Sequence, residues 1–243
     1  QLNVDSCSIT GDVTVSSAPM FVTSPNLTLN GNMLINPTAN GGGTYLQFNQ
    51  SGSLLGAGTI TLNANLSNFD TAYVSASGNA TATMPSGRAL KGTGRTYGKI
   101  AFGGVVSPSN YSTFSQIGQL DIRGPFTFAS TSSFEADVAS PSSFDRITGD
   151  GTKALNGTLV LRLLNGFIAR PANVLPIISG SAARTGVFDS IVPPTGYAAV
   201  PTYPATGLNL SLARTCPADL NADVVVDDAD FSLFVVAYDI LDC

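Results

Sequence analysis

The 243 residues predict an all-β protein, and three features of the chain predict it. Residues 1–215 divide into short pieces in which apolar and polar side chains alternate and β-branched residues abound: DVTVSS, LTLNG, TYLQFNQ, TITLNANL, AYVSAS, KIAFGGVV, QLDIRG, FTFAS, SFEADVA, TLVLRLL and VLPIIS. Alternation of that kind puts one set of side chains on each face of a strand. The pieces are separated by Asn-Gly, Gly-Asn, Gly-Gly and Ser-Gly pairs, which tolerate positive φ and allow tight corners. A helical period first appears near residue 228.

The segments LLGAGTITLNANL and LKGTGRTYGKIAFGGVV each run Leu, Gly-x-Gly, strand, and their motif leucines, Leu55 and Leu90, lie 35 residues apart. Repeats of about 20 to 50 residues characterise stacked architectures, in which coils that cannot bury an apolar face alone do so against their neighbours. A β-solenoid is the first architecture this suggests. A β-sandwich or jelly roll with the same density of turns is the alternative.

Charged residues make up 11% of the chain, against roughly 25% in ordinary soluble domains. Net charge is −5, unevenly placed. Seven aspartates follow Cys216 with no Lys or Arg among them, so the tail carries −7; residues 1–215 hold nine acids and all 11 bases, about +2. An acidic block this local suits a cation. Nucleic acid is not an expected partner, because the body has neither a basic stripe nor an aromatic ladder in its sequence. No apolar run reaches the ~18 residues of a membrane helix. A chain opening at Gln1 without Met fits a mature, exported protein, secreted or at a cell surface.

Histidine is absent, which removes the commonest general base and the Ser-His and Cys-His nucleophile pairs. Asp121, Glu135, Asp137, Asp145 and Asp150 are scattered in sequence, and Asp145-Arg146 reads as a surface pair. The chain is therefore expected not to be an enzyme.

From Gly92 to about Leu212 the chain resembles the C-terminal part of autotransporter-passenger-like bacterial β-helix proteins. The matching runs are GKIAFGGVVSPSN, IGQLDIRGPFTFASTSSFEADV, FDRITGDGTKALNGTLVLRLLNGF and ARPANVLPIISGSAARTGVFDSIVPPTGY. The resemblance implies a right-handed parallel β-helix over residues 1–215, exposed outside the cell, and nothing catalytic.

The tail, residues 216–243, reads CPADLNADVVVDDADFSLFVVAYDILDC. Counted from Asp219, oxygen-bearing side chains fall at loop positions 1, 3, 5, 9 and 12, namely Asp219, Asn221, Asp223, Asp227 and Asp230. The position 7 carbonyl is that of Val225. Ca²⁺ takes six to eight hard oxygens, and a loop with this spacing turns alternate side chains toward one point. The segment resembles one repeat of a type I dockerin, an EF-hand-like loop followed by a helix, here Phe231 to Leu241. Two departures stand out: position 6, normally Gly, is Val224, and the second repeat of a full dockerin is lacking. Cys216 and Cys243 bracket the module and are expected to pair in an oxidising compartment, leaving Cys7 as the odd thiol, available for an inter-subunit bond. The helix is apolar nearly all round and is expected to pack on the end of the β body as its cover.

Three functions follow: a structural protein that self-assembles into a filament or surface layer, with copies of itself as partner; a module docking onto a cohesin-like scaffold; and a divergent polysaccharide-active β-helix enzyme.

Overall fold

A computed structural model describes residues 2–5, 7–16, 18–37, 43–64, 68–109, 117–215, 218–221 and 226–241, with side chains described as far as residue 236. The body is all-β. Its strands form three parallel ladders, because each turn of chain contributes one strand to each ladder in succession.

The first ladder runs through β1 (Leu2–Val4), β4 (Met20–Val22), β7 (Thr44–Phe48), β10 (Ala72–Ala76), β12 (Arg88–Tyr97), β15 (Gln119–Arg123), β19 (Arg146–Gly149) and β22 (Leu175–Gly180). The second runs through β2 (Ser8–Thr10), β5 (Asn26–Asn30), β8 (Gly52–Leu55), β11 (Thr81–Met84), β13 (Lys99–Phe102), β16 (Phe126–Phe128), β20 (Lys153–Leu155) and β23 (Arg184–Gly186). The third comprises β3 (Val13–Val15), β6 (Met33–Ile35), β9 (Gly58–Asn63), the first half of β12, β14 (Val105–Ser107), β17 (Ser133–Ser140), β21 (Thr158–Leu163) and β24 (Ser190–Val192).

Alternation dictates which side chains go inward. Along β7 the pattern is buried at Thr44, Leu46 and Phe48 and half-exposed at Tyr45 and Gln47. Parallel register then sets like on like: Met20 beside Leu46 and Val22 beside Phe48 in one ladder, Ile60 beside Leu90, Leu90 beside Val106 and Val106 beside Phe134 in another. The result is one continuous apolar core. Phe102, Phe126, Phe128, Phe134 and Phe188 pack ring against ring within it, with centroids 5.4 to 6.4 Å apart. Aromatic pairs at such separations add stabilisation beyond the area they bury.

Corners are held by main chain. Gly58 sits at φ +128°, and a Cβ there would stand 2.2 Å from the Gly31 carbonyl oxygen, so only glycine lets the two levels approach. Arg88, 1% exposed, spans the same corner: its terminal nitrogens donate to the carbonyls of Gly31 at 3.1 Å and Leu55 at 2.7 Å. Lys153, equally buried, donates from Nζ to the carbonyls of Gly151 at 3.0 Å and Ala182 at 3.1 Å. Burial pushes both cations below their usual pKa.

Three expectations are corrected. Leu55 and Leu90 do not occupy equivalent places, since Leu55 pairs with Thr28 in the second ladder and Leu90 with Ile60 in the third. The recurring likeness lies in glycine corners, whereas paired residues on neighbouring levels stand 16 to 32 positions apart, as Leu90 with Val106 and Thr158 with Ser190. The far end of the body is not finished by the C-terminal helix. There β26 (Leu208–Arg214) runs antiparallel to β22 and pairs on its other side with antiparallel β25 (Tyr197–Thr202), breaking the parallel succession. Finally, the described part of the apolar helix is not buried: Phe231 is 65% and Val236 59% exposed, and Leu233, Phe234 and Val235 are exposed as well. No helix among the described residues is long and apolar enough to cross a membrane.

Candidate functional site

The tail helix α1 spans Asp228–Leu241 and starts three residues before the predicted Phe231. Its start is fixed by two of the predicted calcium ligands. Asp227 is the N-cap, its Oδ1 accepting from Ala229 N–H at 2.8 Å, and Asp230 reaches back with Oδ2 to accept from Asp227 N–H at 2.9 Å. Asp230 at N3 supplies the back-reaching half of a capping box, with Asp in the place usually held by Glu, while the Asp227 side chain takes the N2 donor. The other oxygen of Asp230 accepts from Leu220 N–H at 2.6 Å and Asn221 N–H at 3.1 Å, closing the loop onto the helix. Asp230 is 2% exposed, and the N–H groups of Asp227 and Asn221 hold its carboxyl below the ordinary carboxylate value.

The structure thus brings Asp227 and Asp230 together and ties the main chain at Asn221 to them. Asp219 lies in the described stretch 218–221, beside the turn residue Ala218, and has interactions of its own. Asp223, Val224 and Val225 lie outside the described residues, as do Cys216 and Cys243. Among the described residues no three of His, Cys, Asp and Glu cluster as a metal site. The donor set is all hard oxygen, which fits Ca²⁺, and carboxylate oxygens have two lone-pair sites each. With Oδ1 of Asp230 already taking two N–H groups and Oδ2 one, this arrangement leaves a single lone-pair site on Oδ2 for an ion at position 12. Cys7 carries a free thiol and packs half-buried against the core near β2.

A second concentration of polar chemistry, not foreseen from sequence, lies on the outer face of the first ladder. Phe21, Tyr45, Tyr73 and Tyr97 form a row of rings crossing four strands, with Tyr45 and Tyr73 stacked at 4.3 Å. Tyr97 leads into a carboxylate-guanidinium network. Its hydroxyl donates to Asp70, which also pairs with Arg95; Arg95 and Arg123 both bond Asp121, at 2.7 and 2.9 Å; Arg123 continues to Asp150 at 3.2 Å. Asp121 is nearly buried, and two guanidiniums offset its desolvation. The chain continues through Thr148, whose hydroxyl donates to Asp121 Oδ1 at 3.4 Å, and Gln119, which donates to Thr148 Oγ1 at 2.8 Å and accepts from Arg146 Nε at 2.6 Å.

Asp145 and Arg146 are not the surface pair expected. Arg146 faces outward to Gln119, whereas Asp145 is 0% exposed. Asp145 Oδ1 accepts from Gly118 N–H at 2.7 Å and Oδ2 from Asp137 N–H at 3.0 Å, stitching β17 to the approach of β15. Burial pushes its carboxyl up to about 8, against the opposing pull of those two N–H groups. Asp137, beside it, pairs instead with Arg162 Nε at 2.6 Å. No sequence signal marks Asp145, since the segments that enclose it come from different levels.

No protein-family model matches the chain, and no curated protein does.

Proposed function

We propose that the chain is a non-catalytic extracellular structural protein that associates with copies of itself, with a right-handed parallel β-helix as its body and a calcium-stabilised tail. The observation that carries this reading is the state of the two ends of the strand stack. At one end β2 and β3 pair only with β5 and β6; at the other β25 pairs only with β26, among the described residues. Strands bonded on one side present rows of N–H and C=O groups to any strand that arrives in register. Two different edges meeting head to tail make a heterologous contact, and a heterologous contact that does not close propagates as a fibre.

Light scattering and electron microscopy of the 243-residue chain test the reading. Fibres or sheets are expected. Thr14→Lys in β3 and Val200→Lys in β25, both at exposed positions, place a charge on each edge and are expected to abolish assembly while leaving the β spectrum intact. A wild-type monomer at high concentration would reject it.

The tail is proposed to hold one Ca²⁺ through Asp219, Asn221, Asp223, Asp227 and Asp230 with the Val225 carbonyl, and to be closed by a Cys216–Cys243 disulfide. The ion would neutralise part of the −7 charge and fasten the loop to the helix. Calorimetry is expected to give one site, lost in Asp223→Ala; a silent titration of the wild type would remove the ion from the proposal.

A second reading is favoured by the exposed face of α1. Phe231 and Phe234 border an apolar hollow with Ala218, Leu220 and Val226, a surface suited to a cohesin-like docking partner. Soluble monomer that binds a cohesin through this face would favour docking over assembly.

A further inference from the structure

We propose that the groove between the Phe69 turn and the β17 hairpin binds an anionic sugar residue, carboxylated or sulfated, of a polysaccharide. The hairpin joins β17 to β18 (Ser143–Phe144) through antiparallel pairing. With η1 (Phe69–Thr71) opposite, it encloses a cavity of about 380 Å³.

Four features of the groove suit such a ligand. Its lining includes the half-buried Phe69 and the edge of the nearly buried Phe144, apolar surface that suits the C–H side of a sugar. Its rim is hydroxyl and amide, from Ser142, Ser143 and Gln119, which match sugar hydroxyls. At its mouth stands Arg146, exposed and without a carboxylate partner in any ion pair of the described residues. Arg146 is oriented through Nε by Gln119, itself held by Thr148, so the terminal nitrogens are left as a fork for a carboxylate or sulfate.

The walls are fixed rather than adaptable. Asn68 caps η1 by accepting from Asp70 N–H at 3.0 Å, and Asp70 is anchored to Arg95 and Tyr97, which fixes Phe69 between them. The hairpin is pinned beneath by Asp145, whose two oxygens hold Gly118 and Asp137. Neighbouring carboxylates do not cancel Arg146: Asp70 and Asp121 are spent on Arg95 and Arg123, and burial keeps Asp145 mostly protonated at neutral pH. A pre-positioned guanidinium beside an apolar lining selects by charge and ring shape together.

Calorimetry with four probes tests the proposal: oligogalacturonate, a dextran sulfate oligomer, neutral maltohexaose and an oligoglutamate peptide of similar charge. Saturable binding is expected for at least one acidic sugar, at least tenfold tighter than for maltohexaose or the peptide. Arg146→Gln is expected to weaken that binding at least tenfold. Ser143→Glu, which sets a carboxylate in the groove, should abolish it, and Lys99→Gln, an exposed cation on the second ladder, should leave it unchanged. Circular dichroism and the thermal midpoint confirm that each variant is folded. Absence of acidic-sugar binding, equal affinity for the peptide or the neutral sugar, an unchanged Arg146→Gln, or an equal loss in Lys99→Gln overturns the proposal.

Discussion

Asp145 shows how far a residue's role can depart from its place in the sequence. Read along the chain it is half of an Asp-Arg pair; in the fold it is a fully enclosed carboxyl between Gly118 and Asp137, facing the Asp137 carboxylate and, beyond it, the Arg162 guanidinium. Its carboxyl is raised to about 8 in the fold, against an unfolded value of 3.8, so the folded state holds a proton that the unfolded state has released. The stability this contributes is complete below about pH 4 and is lost as pH rises toward 8, at up to about 1.4 kcal/mol per pH unit. Because the chain has no histidine, few other side chains titrate in that window. Denaturant titrations between pH 5 and 8 are therefore expected to show stability falling with pH in the wild type and a much flatter line in Asp145→Asn. Equal slopes in both proteins would contradict the assignment.

At the scale of elements, the tail and the strands differ in how openly the sequence declared them. The pieces TYLQFNQ, QLDIRG and TLVLRLL are strands β7, β15 and β21, because each alternates over several residues. KIAFGGVV was legible as β but not as two strands: Gly103 and Gly104 turn a corner, so β13 and β14 belong to different ladders. Strands as short as β4 and β6 carry too few residues for a period to be read, and they persist because Met20 stacks on Leu46 and Met33 on Ile60. The hairpin β25–β26 was hidden for a different reason. Pro201 in YAAVPT argues against a central strand, and β25 is an edge, where proline is tolerated.

In the tail, the acidic spacing was visible, but that Asp227 and Asp230 cap α1 required seeing which N–H groups they meet. Asp230→Ala removes the acceptor of three backbone donors, those of Leu220, Asn221 and Asp227, while leaving the Asp227 N-cap in place. That variant is expected to lose the helical signal near 222 nm and to become open to proteolysis in the tail while the β body melts as before. Asp230 has a depressed carboxyl, so its contribution is present above its unfolded value of 3.8 and disappears as pH drops further; wild-type helicity is expected to decline in that acid range. A helix indifferent to both changes would show that the cap does not hold it.

For the molecule as a whole, the all-β class was legible and the spacing between paired strands was not. Apolar residues recur so that every level buries its neighbours' faces, which is why the core is continuous from Val4 to Leu212. The interval between paired residues on neighbouring levels varies from 16 (Leu90 to Val106) to 32 (Thr158 to Ser190), and insertions at corners shift the apparent repeat that sequence comparison detects. The outer network from Asp70 to Arg146 was illegible for the same reason, since its members are scattered until the levels are laid side by side.

The parallel ladders also decide how the body would respond to force. Their hydrogen bonds point along the stack, so a pull applied at its two ends strains those bonds end-on and one level at a time, instead of shearing many strands together. Each level freed releases 16 to 32 residues, or roughly 50 to 110 Å of extended chain at about 3.4 Å per residue. Stretched between beads, the protein is expected to lengthen in a staircase of such increments at modest tension, and one abrupt release of the entire body would exclude that behaviour. A fibre built from such units would act as a shock absorber, yielding by levels and winding back when the load is removed.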